Sequence, residues 1–219
     1  MIKGVIFDLD GTLADTIGDL GYAMNEMLRS FSFPERNREQ IISAICYGQR
    51  EFVIRSMPED KRGDTALVDN CQECYASCYD KCANQRTVAY EGIVSALDIL
   101  KSKGIRLAVV TNKAQGHAAT VVKQLFGDGM FDTVIGGVKG QPPKPDPATA
   151  LKAAEIMGVK PEECAFVGDS DVDILTGINA GMVPVGVTWG YRSREVLTEA
   201  GARLLADDAE QMLDIILSR

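Results

Sequence analysis

Asp8-Leu9-Asp10-Gly11-Thr12-Leu13-Ala14-Asp15-Thr16 is the stretch that decides how this chain folds. It follows Gly4-Val5-Ile6-Phe7, a short apolar run that reads as a buried strand. Two carboxylates two residues apart therefore stand where the strand ends and the chain turns. In extended backbone, side chains at i and i+2 point the same way, so Asp8 and Asp10 converge on one spot if the turn begins after Asp10. Two neighbouring acids repel at neutral pH unless a positive charge sits between them or one holds a proton. A divalent cation solves this most simply, and hard oxygen ligands suit magnesium. Gly11 permits the tight turn, and the Thr12 hydroxyl can bond turn amides.

Outward from that stretch the chain alternates. Helical segments lead to strands at Ile105–Val110, Thr133–Ile135, Cys164–Val167 and Pro184–Thr188, with a weak strand at Arg203–Leu205. Gly104, Gly158 and Gly181 fall just past three of the helices, where a left-handed stop is wanted. Strand–helix alternation predicts a Rossmann-like parallel α/β sheet covered on both faces.

Between Thr16 and about Tyr90 the pattern holds no strand. Helices fit Ile17–Ser30, Arg38–Ile45, Gln49–Ser56 and Ala66–Cys82. A helical block that long is too large for a crossover between neighbouring strands. We read it as an inserted all-helical cap over residues 17–87, with an α/β core made of residues 1–16 and 88–219. Cys71, Cys74, Cys78 and Cys82 recur at spacings of 3, 4 and 4 and form one helical stripe. Continuous helical spacing is unlike that of zinc sites, and free cysteine packs as a small hydrophobe, so the stripe reads as core.

Composition restricts the partners. The 219 residues carry a net charge of −8, which argues against nucleic acid or an anionic membrane as partner. No apolar run nears the ~20 residues that span a bilayer, and Met1–Phe7 lacks a signal-peptide core, so we expect a cytoplasmic protein with reduced thiols. A small anionic substrate stays compatible, because a bound metal and a few basic residues set the local field.

In a parallel sheet, ligands bind outside the carboxyl ends of the strands. Those ends carry Asp8 and Asp10, then Thr111-Asn112-Lys113, then the loop Gln141-Pro142-Pro143-Lys144-Pro145, then Gly168-Asp169-Ser170-Asp171-Val172-Asp173. A nucleophilic carboxylate, a second acid for proton transfer, a hydroxyl and a lysine in a proline-stiffened loop suit phosphoryl transfer. That reaction needs positioning and charge neutralisation above all. Lys113 and His117 read as solvated residues of the next helix, and Asp171 as an exposed acid at a helix start.

These four segments resemble the four motifs of the haloacid dehalogenase superfamily of phosphatases, and the helical block resembles that family's cap. The resemblance implies that Asp8 is the nucleophile and Asp10 the general acid/base, with Thr111 and Lys144 as phosphoryl-binding partners of catalysis. It implies a magnesium site of Asp8, the Asp10 carbonyl and Asp169, with Asp173 orienting waters or Lys144. Asn179-Ala180-Gly181-Met182 and Trp189-Gly190-Tyr191 are similar to the phosphoglycolate phosphatase-like hydrolases in particular. The expected function is hydrolysis of a small phosphate ester through an aspartyl-phosphate, with 2-phosphoglycolate the leading substrate. Thr111, Asn112 and Lys144 would bind that substrate, and Arg50, near the Gly48 turn, would pair with a carboxylate on its leaving group. The rival readings are a sugar phosphomutase of the same superfamily and a phospho-acceptor signalling module. The latter would place its phosphorylated Asp after a later strand and lack the helical insert.

Overall fold

The computed structural model describes residues 1–219. The chain divides into two compact units, Met1–Asp15 with Ala89–Arg219, and Thr16–Val88. No helix is long and apolar enough to cross a membrane.

The first unit starts with β1 (Gly4–Phe7), and β2 (Ala14–Asp15) follows the acidic turn. The second unit is built from α1 (Ile17–Ser30), α2 (Arg38–Ala44), α3 (Gln49–Ser56), a 3-10 turn at Glu59–Lys61 and α4 (Thr65–Cys82). Next come β3 (Val88–Ala89), α5 (Ile93–Ser102), β4 (Arg106–Ala114), α6 (Gln115–Phe126), β5 (Thr133–Gly137) and α7 (Ala148–Met157). The chain closes with β6 (Cys164–Gly168), α8 (Asp171–Asn179), β7 (Val183–Val187), α9 (Arg194–Glu199), β8 (Leu205–Ala206) and α10 (Ala209–Leu217).

Six strands form one sheet in the order β5-β4-β1-β6-β7-β8, and every pairing in it is parallel. β1 is central. The chain fills one side of it with β4 and β5, then crosses back to fill the other with β6, β7 and β8. The sheet therefore reverses direction of growth at β1, and a crevice opens at the carboxyl ends of β1, β4 and β6.

Strand alternation splits the core by face. Val5, Phe7, Leu107, Val109, Ala165 and Val167 join one buried cluster, where α5 adds Ile93, Ala96, Leu97 and Leu100 at helical spacing. Ile6, Ala108, Val110 and Phe166 face the other way, onto Ala150, Ala153, Ala154 and Met157 of α7. Truncating any of the large residues here, such as Leu97→Ala, should cost about 2–5 kcal/mol.

The helical unit has its own interior of Met24, Met27, Ile41, Phe52, Val53, Val68, Tyr75 and Tyr79. Cys71 and Cys82 are buried in it while Cys74 and Cys78 are half-buried, and all are free thiols. Burial pushes the Cys71 thiol up to about 11, so it stays protonated and packs as an apolar group. Asp19, wholly buried in the first turn of α1, accepts hydrogen bonds from the Arg86 amide at 3.1 Å and the Thr87 hydroxyl at 2.7 Å.

Three expectations need correction. The segment read as strand-free contains β3, which with β2 makes a separate two-stranded sheet. β4 does not stop at Val110 but runs on to Ala114, so Lys113 lies in strand rather than helix. α9, six residues long, was not foreseen, and the last strand sits at Leu205–Ala206 rather than Arg203–Leu205.

Candidate active site

Asp8 still belongs to the sheet: its amide donates to the Val167 carbonyl at 2.9 Å. The backbone then curls. The amides of Leu13 and Ala14 both donate to the Leu9 carbonyl, at 3.1 and 3.0 Å, and Gly11 adopts a φ of +91° inside this loop. That left-handed conformation, and the 2.3 Å that would separate a Cβ from Asp169 Oδ2, leave room for glycine alone.

Lys144 reaches the same place from the loop after β5. Its side-chain nitrogen lies 2.8 Å from Asp8 Oδ1 and 2.5 Å from Asp173 Oδ1, with all three residues buried. Asn112, at the end of β4, holds the Lys144 backbone with both ends of its amide. Its Oδ1 accepts from the Lys144 N–H at 2.8 Å and its Nδ2 donates to the Lys144 carbonyl at 3.2 Å. Thr111 is buried beside it, and its hydroxyl oxygen accepts from the Lys113 amide.

β6 delivers the remaining acids. Ser170 is the N-cap of α8, and Asp173 completes a capping box by accepting from the Ser170 amide and hydroxyl through Oδ2. That leaves Asp173 Oδ1 for Lys144. Gly168 makes the approach possible, since a Cβ there would fall 2.2 Å from Asp173 Cβ. Asp169 is fully buried. Its Oδ1 accepts from the Thr12 hydroxyl at 3.0 Å and its Oδ2 from the Tyr191 amide at 2.7 Å. Gly190 packs so closely on it that a Cβ would come within 2.3 Å of Asp169 Cβ. Beside these, the Trp189 indole N–H donates to the Thr12 carbonyl at 3.0 Å.

The charges do not balance. One carboxylate oxygen from each of Asp8, Asp169 and Asp173 falls within 4.8 Å of the others. Lys144 supplies one positive charge among them, which leaves two negative charges in excess. Burial, then Asp173, raises the Asp8 carboxyl to about 7 despite the opposing pull of Lys144. Asp169 is raised well above the carboxylate range by burial and by the same two neighbouring acids. For Lys144, burial favours the neutral amine, but Asp173 and Asp8 outweigh it and hold the proton firmly. Three close oxygens with two uncompensated charges fit a hard divalent cation.

Asp10 does not join this cluster through its carboxylate. Both its oxygens are bonded to Lys113 Nζ, at 3.1 and 3.3 Å. Lys113, expected to be solvated, is buried instead and is a residue of the site. Arg50 lies on α3 of the helical unit, half-exposed, and pairs there with Asp69 at 2.5 Å and Gln72 at 3.1 Å on α4. Lys113 and the Trp189-Gly190-Tyr191 turn are the components that the sequence motifs did not assign.

The profile of haloacid dehalogenase-like hydrolases matches residues 5–187. A phosphoglycolate phosphatase from Psychrobacter arcticus is 33% identical over 219 residues, covering 97% of this chain and 95% of that protein. One from Haemophilus influenzae is 31% identical, covering 98% of each. A crystal structure of a candidate phosphoglycolate phosphatase from Lactobacillus delbrueckii subsp. bulgaricus superposes with a TM-score of 0.92 at 29% identity, covering 99% of each chain. The matched residues cover most of the chain, which belongs to the haloacid dehalogenase-like family of hydrolases. Within that family it is a phosphatase.

Proposed function

We propose that the chain is a magnesium-dependent phosphomonoester hydrolase working through an aspartyl-phosphate on Asp8, with 2-phosphoglycolate as substrate. The carrying observation is the buried Asp8–Lys144–Asp173 line with Asp169 beside it, two positive charges short of neutrality. Asp8 and Asp169, with the Asp10 carbonyl, would hold the metal, which neutralises the acids and the phosphoryl oxygens when bound. Asp173 keeps Lys144 aligned on Asp8.

An Asp8 oxygen attacks phosphorus, and the bond from phosphorus to the leaving oxygen breaks. Asp10 gives that oxygen a proton. In the second half, Asp10 takes a proton from water as the water attacks the acyl phosphate, releasing inorganic phosphate and restoring Asp8. Lys144 and Thr111 bear on the phosphoryl oxygens throughout. Asn112 contributes through the Lys144 backbone it grips, beyond any contact of its own with substrate.

The phosphoglycolate assignment draws on the relatives bearing that name. A panel of phosphomonoesters assayed with magnesium tests it. Fast turnover of 2-phosphoglycolate is expected, with slow turnover of phosphopeptides and no isomerised product from a bisphosphorylated sugar. Asp8→Asn should abolish turnover with the fold intact; activity comparable to wild type in that variant would refute the nucleophile.

A further inference from the structure

Lys113 and Lys144 are the two lysines buried in this chain. Water solvates an ammonium far better than a protein interior does, so a buried lysine needs anionic company. Lys144 has Asp8 and Asp173. Lys113 has Asp10, reaching both carboxylate oxygens.

The backbone is shaped to put Lys113 there. The pairing of β4 with β5 loses its register between Val110 and Ala114. Across that irregularity, a Cβ on Gly136 would sit 2.8 Å from the Lys113 carbonyl oxygen and 2.6 Å from Gln115 Cα. One on Gly137 would sit 3.1 Å from the Asn112 carbonyl oxygen. Two successive glycines thus let β5 close against the bulge. Gln115 fastens the join, accepting from the Gly136 amide at 2.6 Å and donating to the Val134 carbonyl at 3.0 Å. A bulge next to an active site re-aims a side chain, and here the side chain is a lysine turned into the crevice edge beside Asp10.

The two lysines divide the site. Lys144 is bonded to the nucleophile, at the phosphoryl end. Lys113 is bonded to the residue that serves the leaving oxygen. For Asp10 to reach that oxygen, an ammonium seated on both its oxygens must share them or find another anion. A carboxylate on the leaving group is such an anion. In a glycolate ester it hangs on the carbon that bears the leaving oxygen, within the span of one lysine beside Asp10.

We infer that Lys113 is the specificity-determining residue for an anionic leaving group, exchanging Asp10 for a carboxylate of the substrate. Recognition of that carboxylate and release of the Asp10 side chain are then one event. The inference rests on the proposed phosphatase chemistry and names what selects its substrate.

The experiment compares kcat/KM on 2-phosphoglycolate and on 2-hydroxyethyl phosphate, an ester of similar size without the carboxylate. It uses the full chain with magnesium, as wild type, Lys113→Met and Lys113→Arg. The wild type should prefer phosphoglycolate. Lys113→Met should reduce that preference by about 10- to 100-fold, the worth of a charge-assisted hydrogen bond, and Lys113→Arg should keep most of it. Lys113→Gln is made alongside, because its amide still donates to Asp10 and keeps that acid partnered if the methionine variant does not fold. If the wild type prefers phosphoglycolate and the neutral variants lose both activities equally, Lys113 only holds Asp10 and the inference fails alone. If the wild type hydrolyses both esters equally, the inference and the phosphoglycolate assignment fall together.

Discussion

Removing divalent metal should make this protein less stable as pH rises from 4 to 7, against the usual trend for an acidic enzyme. Asp8 carries a carboxyl raised from 3.8 to about 7, chiefly because it is buried and faces Asp173. A group with a raised native value binds its proton more tightly folded than unfolded, so the unfolded chain has fewer protons across that window. Stability then falls with pH. The contribution is whole below about pH 4, is lost progressively up to about pH 7, and is absent above. At about 1.4 kcal/mol per pH unit, the interval corresponds to at most about 4 kcal/mol. Asp169, raised in the same direction, adds to it. For a chain of this size each kcal/mol moves Tm by about 2–4 °C. The assay is thermal melting in EDTA at several pH values, for wild type and Asp8→Asn, since the difference between them cancels the carboxylates remote from Asp8 and leaves Asp8 with the acids that feel its charge. Wild type should lose ground to Asp8→Asn as pH rises, and magnesium should restore it most at the alkaline end. A wild type that gains on the variant between pH 4 and 7 in EDTA would refute the charge imbalance on which the metal assignment stands.

Other outcomes follow from single contacts. Asp10→Asn should lose about 10²–10⁴-fold on an alkyl phosphate and much less on nitrophenyl phosphate, whose leaving group needs no proton; equal losses would remove the acid/base role. Gly190→Ala should cost about 1–3 kcal/mol, because its Cβ has only 2.3 Å to Asp169 Cβ, and calorimetry should show weaker magnesium binding. Asp19→Ala should destabilise by about 1–3 kcal/mol by orphaning the Arg86 amide and the Thr87 hydroxyl, measured by denaturant unfolding.

The legible part of the molecule was the part written locally. Gly4–Phe7 alternates between two covered faces, and the parallel rule then sends every functional side chain to one sheet edge. Asp8, Lys144, Asp169 and Asp173 meet there as separate segments whose types already suited one chemistry. Lys113 was illegible for a physical reason. Thr111-Asn112-Lys113-Ala114 has the look of a helix start, and it stays extended where Gly136 and Gly137 of a different strand approach it closely. The hold on Asp169 was hidden likewise, since Trp189 finds the Thr12 carbonyl 177 residues away and Tyr191 finds Asp169 across 22. α9 escaped because six residues are too few to display a period.

Trp189 is the single tryptophan among the 219 residues. Its indole N–H is bonded to the carbonyl of Thr12, whose hydroxyl is bonded to Asp169. The chain therefore carries an intrinsic optical reporter two bonded contacts from its acidic centre, with no other indole to dilute the signal. Emission from that ring responds to the polarity and hydrogen bonding around it. Titration of that centre with magnesium or a phosphate ester can then be read in stopped flow without labels, as a change in the light from one residue.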